Sequence, residues 1–185
     1  DEATDADKAS MLGLRGQAFV LKGDIQGAEA ALEDALSFDS QARHALVGLA
    51  VLYATQRQPE EARRWVTAAL ETNPATPEAW GVLGELELAQ GNLEEAEAAF
   101  DNAIQHRAYP TLDRAHRALA RVQLGKLEEA ASDIQWLQRR GLGEHYYVNY
   151  VAGLVRFGEG NYSEAATAFE TSFAAEPAFL PNRLY

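Results

Sequence analysis

Apolar and polar positions along the chain follow a helical period, and the pattern returns at a fixed interval. The segments GDIQGAEAALEDAL (23–36), RQPEEARRWVTAAL (57–70), GNLEEAEAAFDNAI (91–104), GKLEEAASDIQWLQ (125–138) and GNYSEAATAFETSF (160–173) start 34, 34, 34 and 35 residues apart. An alanine recurs in each, as Ala28, Ala62, Ala96, Ala130 and Ala165. Four residues later stands a larger apolar residue, Leu32, Val66, Phe100, Ile134 or Phe169, one turn further along the same helix face. The alanines therefore mark a seam between helices, and the intervening glutamates, Glu97 among them, are expected to face water.

Twelve residues before each marker alanine the chain carries Gly16, Ala50, Gly84, Ala118 and Gly153, always a small residue. Glycine inside a helix costs about 1 kcal/mol relative to alanine, so its repeated use there predicts helices too close for a Cβ. Asp24, Asn92 and Asn161 are placed to cap the second helix of their units, and Pro59 suits a first helical position. The spacing predicts helices over 6–22, 24–37, 42–56, 59–72, 77–90, 92–106, 111–124, 126–139, 144–158 and 161–175, with a further short helix beginning near Ala178.

These residues resemble the tetratricopeptide repeat, a helix-turn-helix unit. The third unit carries the pattern best, with Trp80, Leu83, Gly84, Gly91, Ala96, Phe100 and Ala103, and two units carry the closing proline, Pro74 and Pro177. The fourth departs from it: Arg114 and Arg117 stand where large apolar residues are expected. The resemblance implies an all-α, right-handed α-solenoid of about five repeats plus a partial C-terminal helix. It further implies a single domain over 1–185, with repeats near 9–42, 43–76, 77–110, 111–145 and 146–179 and the start of a further helix at 180–185. First helices would line a concave groove that binds a protein or peptide partner.

Composition narrows the chemistry. A formal net charge of −12 in 185 residues argues against general nucleic-acid binding. Residues 107–141 nevertheless hold seven bases against four acids, a locally basic zone. Without cysteine there are no disulfides and no thiolate ligands. No apolar run reaches the roughly 20 residues of a membrane span, so no direct membrane insertion by this segment is expected. The opening DEATDADKAS has neither an initiator Met nor a signal-peptide pattern, and the chain reads as a segment of a longer protein.

No catalytic set is legible. His44, His106, His116 and His145 lack metal-ligand spacing and are expected at the surface or between repeats. The pairs Glu60–Glu61, Glu94–Glu95 and Glu128–Glu129 open helices, where negative charge is favoured. The expectation is a non-enzymatic chain with no catalytic residue, no metal site and no cofactor. Projecting the family's groove positions gives Gln17, Val47, Val51, Glu85, Leu119, Val122, Tyr147, Tyr150, Leu154 and Phe157 as the partner-binding face. Tyr146, Tyr147 and Tyr150 with Phe157 either hold an apolar segment or a sugar ring, or pack against the chain around 179–185. Arg114, Arg117 and Arg121 share one helix face. They form a basic patch for an acidic partner, or pair with Glu85 and Glu87.

A finer resemblance lies in the last third. HYYVNYVAGLVRFGEGNYSEAATAFETSFAAEPAFLPNRLY, with Tyr150, Gly153 and Phe157 and then Pro177, Leu180 and Pro181, is similar to the large repeat lipoproteins of PEP-CTERM and exosortase exopolysaccharide systems in Gram-negative bacteria. This implies a periplasmic scaffold in exopolysaccharide assembly or export, anchored at the outer membrane through a segment not in this chain. The alternatives are a cytoplasmic peptide-binding regulator and a direct polysaccharide-binding module. The apolar residues of 146–185 are further expected to give weak self-association.

Overall fold

The computed structural model describes residues 3–179, and the expected helix at 180–185 lies outside them. Ten α-helices and no strand occur among the described residues. They are α1 (Asp5–Lys22), α2 (Ile25–Phe38), α3 (Arg43–Thr55), α4 (Pro59–Thr72), α5 (Pro77–Gln90), α6 (Leu93–His106), α7 (Thr111–Gln123), α8 (Leu127–Leu137), α9 (Tyr146–Gly158) and α10 (Tyr162–Ala175). A π-helical segment, Gln138–Leu142, follows α8. The chain divides into two compact units, residues 1–86 and 87–185.

One turn geometry generates the repeat. Gly23, Arg57, Gly91, Gly125 and Gly160 open the five aligned segments, and all five have positive φ, between 58 and 80°. In the first, the Gly23 N–H donates to the Val20 carbonyl and the Asp24 N–H to the Phe19 carbonyl. The other four repeat this pair of bonds, which satisfies the last carbonyls of a helix and reverses the chain. Glycine enters that left-handed conformation without strain, so Arg57, at φ 58°, carries a cost its counterparts avoid.

The capping residues divide by chemistry. Asp24 accepts from the Gly27 N–H at 3.0 Å, as expected of an N-cap. Asn92 and Asn161 make no side-chain cap bond. Each carries an amide N–H₂ that an aspartate lacks, and spends it on a nearby carboxylate, Asn92 on Glu87 at 2.8 Å and Asn161 on Glu159 at 3.2 Å.

In unit 1 the seam is built as the spacing required. A Cβ on Gly16 would lie 2.5 Å from the Leu32 side chain, and one on Gly48 would meet the same leucine at 2.5 Å. Leu32 is fully buried, between α1 and α3, in a core with Ala9, Ala28, Ala45, Leu49 and Leu52. A second cluster joins Ala50, Ala62 and Val66 to Val82 and Leu86. In unit 2 the equivalent packing sets Phe169 against Gly153, whose Cβ would lie 2.5 Å from the ring. Its core runs from Ala115 and Ala118 through Ala130, Ile134 and Leu137 to Val148, Val151 and Val155.

Candidate functional site: the first-helix face and the interhelical hollows

In unit 1 the predicted face is largely consumed by packing. Val47 is buried with Leu46, Ala69 and Ala79, and Val51 is half-buried beside them. Gln17 donates from Nε2 to the His44 carbonyl at 2.8 Å, tying α1 to α3. These three residues hold adjacent repeats together, so Val47 offers a partner nothing. Glu85, on α5, is exposed.

In unit 2 the face stays open in places. Leu112 and Phe157 are 54% and 59% exposed. Leu119, Val122 and Leu154 are half-buried. Tyr147 and Tyr150 come together at 6.4 Å between ring centroids, but Phe179 sits edge-on against Tyr146, Tyr147 and Tyr150 at 4.9, 5.9 and 5.4 Å. Of the two roles expected for these tyrosines, the packing one is therefore seen. Phe157 belongs to a different environment, an apolar hollow of about 340 Å³ lined by Leu154, Tyr162, Ala165, Ala166 and Phe169.

The arginines differ most from expectation. Arg114, Arg117 and Arg121 converge on Asp133 of α8, whose side chain is only 2% exposed. Arg114 and Arg121 reach its oxygens at 2.7 Å, and Arg117 donates to both of them from Nε and Nη2. Arg117 also reaches Asp101, while Arg121 and Lys126 donate to Glu97 at 2.7 and 2.6 Å. The carboxylates that organise the patch are thus Asp133, Asp101 and Glu97 rather than Glu85 and Glu87. The triad is part of the interior and not a free basic surface. Glu97 is corrected too: its side chain is 13% exposed, not solvent-facing. Burial pushes its carboxyl up, but the hydrogen bonds from Lys126 and Arg121 prevail and hold it below its usual value. Arg114 and Arg140 both also lie over the Trp136 ring, at 4.3 and 4.2 Å from its centroid.

His116 lies between the rings of Phe100 and Tyr147, at 5.6 and 5.2 Å. Burial lowers its pKa to about 4, so it is neutral at physiological pH. No group of three His, Cys, Asp or Glu side chains among the described residues is disposed to hold a metal ion. No described helix is long and apolar enough to cross a membrane.

Sequence reasoning passed over a second hollow, of about 320 Å³, between α8 and α10 with α9 beneath. The repeat register would have found it. Asn149, Ala152 and Arg156 stand 35 residues after Arg114, Arg117 and Arg121, and Ala168 stands 35 after Asp133. All four line the hollow.

A tetratricopeptide repeat family model matches residues 14–74, 47–113 and 116–178, and the chain belongs to that family. Comparison with curated protein sequences finds no match. Several solved structures share the fold. PilW, a widely conserved type IV pilus biogenesis factor, is 17% identical over 96% of this chain and 80% of its own, with a TM-score of 0.80. Pseudomonas aeruginosa PilF is 21% identical over 92% and 76%, with a TM-score of 0.78. YrrB, a repeat protein with an unusual peptide-binding site, is 20% identical over 89% and 84%, with a TM-score of 0.68. At such identities the likeness is one of fold.

Proposed function

We propose that the chain is a non-enzymatic scaffold that holds a partner protein on the first-helix face of its repeats. The observation that carries this reading is the apolar surface left open on α7 and α9, where Leu112 and Phe157 are more than half exposed and Leu119, Val122 and Leu154 are half-buried. Exposed apolar area on a rigid repeat is a binding resource, because little ordering cost remains to be met when a partner docks. The setting we propose is bacterial exopolysaccharide assembly or export, in the periplasm, with an outer-membrane anchor on a segment outside this chain. Its support is the resemblance of the last third to the PEP-CTERM-associated lipoproteins. The second reading, a cytoplasmic regulator that binds a peptide, is favoured by the peptide-binding site named for YrrB. Weak self-association through 146–185 belongs to the proposal as well, on the exposure of Phe157, Tyr162 and Phe173.

The test is site-specific photocrosslinking in the native host, with the crosslinker at Leu112 or Leu119 and, as a control, at exposed Ala98 on α6. A discrete partner captured from the first two positions and not from the control is expected. If that partner is a component of polysaccharide export, the setting stands; a signalling protein selects the regulator. Identical capture from all three positions, or none, overturns the scaffold reading.

A further inference from the structure

The hollow between α8 and α10 occupies a place that two other repeats fill from within. In the second repeat the equivalent positions are Leu46, Leu49, Tyr53 and Trp65, an apolar filling. In the fourth they are Arg114, Arg117, Arg121 and Asp133, an ionic one. In the fifth they are Asn149, Ala152, Arg156 and Ala168, and about 320 Å³ stays open. The earlier wall changes with them, since Ala131 and Gln135 replace Glu97 and Asp101.

The substitutions leave one charge without its inner partners. Arg121 donates to Glu97 and to buried Asp133, both at 2.7 Å. Its counterpart Arg156 finds Ala131 and Ala168 at those two positions. It pairs instead with Glu159 and Glu164 at 2.9 and 3.2 Å, Glu164 itself standing on the wall of the hollow, and its side chain is 41% exposed. A guanidinium carries five N–H donors in a fork that matches a carboxylate. The side-chain amides of Gln135 and Gln138 and the hydroxyl of Ser163 line the same space. Asn149 is less available, because its amide already donates to the Gly143 and His145 carbonyls.

We infer that this hollow is a docking site for an acidic side chain, aspartate or glutamate, of a partner polypeptide. The incoming carboxylate takes the place that Asp133 holds one repeat earlier and receives N–H donors from Arg156 in exchange for Glu164, whose side chain is 67% exposed and free to turn to water. The alanine-lined floor of Ala131, Ala152 and Ala168 provides the room. The site lies between second helices and is separate from the first-helix face proposed above, so the two readings stand or fall independently.

The experiment follows the Arg156 side-chain Nε–H and the backbone amides of Ala152 and Ala168 by NMR in the whole chain. The probe is the blocked tripeptide acetyl-Ala-Asp-Ala-amide, with its Asn analogue and sodium acetate as controls. Saturable shifts with the Asp peptide, at least tenfold weaker with the Asn peptide and with acetate, are expected. Ala168→Asp places the fourth repeat's carboxylate inside the hollow and is expected to weaken the Asp peptide tenfold or more. Ala168→Ser, which adds no charge, should retain binding within about threefold and guards against a variant that merely misfolds. Equal response to the Asp and Asn peptides, absence of saturation, or unchanged binding in a folded Ala168→Asp variant overturns the site. Acetate binding as tightly as the peptide overturns the docking role in favour of a free small anion.

Discussion

Removing the charge of Asp133 tests the physical account of unit 2 most directly. Asp133→Asn keeps the shape of the side chain and leaves Arg114, Arg117 and Arg121 facing a neutral amide. Their side chains are 22%, 11% and 15% exposed, so water replaces the lost carboxylate poorly. What remains for three guanidiniums is Asp101, 52% exposed, and Glu97, already shared with Lys126. Leaving a buried charge uncompensated costs about 3 to 5 kcal/mol. Asp101→Asn serves as the control, because an exposed pair contributes only about 0 to 1 kcal/mol. Urea unfolding followed by circular dichroism reads both.

The same chain also offers an apolar solution to the same volume. Installing the second repeat's residues, as Arg114→Leu, Arg117→Leu, Arg121→Tyr and Asp133→Trp together, is expected to be neutral or stabilising by about 1 to 4 kcal/mol, as when buried ion clusters are replaced by packed apolar groups. The reasoning is refuted if Asp133→Asn costs no more than Asp101→Asn. It also fails if the fourfold replacement is as damaging as Asp133→Asn alone, which would mean the ionic cluster is itself the main source of stability.

Four further outcomes follow from named positions. Arg57→Gly relieves a left-handed residue and is expected to stabilise by about 0.5 to 1 kcal/mol in thermal or urea unfolding; a loss would show that the Arg57 side chain has a structural role of its own. Ala96→Leu overpacks the cluster of Ala96, Phe100 and Ala120 and should cost about 1 to 3 kcal/mol. Glu97→Leu should cost a similar amount through its lost partners Arg121 and Lys126, so Glu97→Gln must also destabilise if charge is the cause. For His116, the unfolded chain takes up a proton near pH 6.5 while the folded one resists until about pH 4. Stability therefore falls as pH drops between those values, by on the order of 3 kcal/mol in all. His116→Phe should flatten that stretch of the curve, and an NMR titration of His116 near pH 6.5 would contradict it.

The helices were legible because their determinants are local. A left-handed turn at the start of each aligned segment and an alanine one turn before a larger apolar residue on the same face both leave marks within one helix pair. Gly16 and Gly153 announced close packing, and the leucine and phenylalanine that fill the space stand at the predicted positions. The site was less legible because a side chain's exposure depends on what the neighbouring repeat puts against it. Val47 and Glu97 illustrate this: one occupies a groove position and the other a surface position, and both are taken up by adjacent elements. Asp133 was overlooked because nothing within α8 distinguishes it from its exposed neighbours. Only the three arginines twelve to nineteen residues earlier reveal its burial.

The register of the repeat therefore carries two kinds of information. At the seam it repeats chemistry, because the helices of every pair must approach to the same distance. In the space between successive second helices it repeats only geometry, and the contents are free to change: Leu49 with Trp65, then Arg117 with Asp133, then Ala152 with Ala168. The first two fillings stabilise the fold in different ways, one through apolar contacts and the other through ion pairs. The third gives up both the apolar contacts and the ion cluster while keeping the arginine. Since an unfilled hollow forgoes contacts that stability alone would favour, one that stands where the second and fourth repeats carry large or charged side chains is better accounted for by what enters it than by what holds the repeat together.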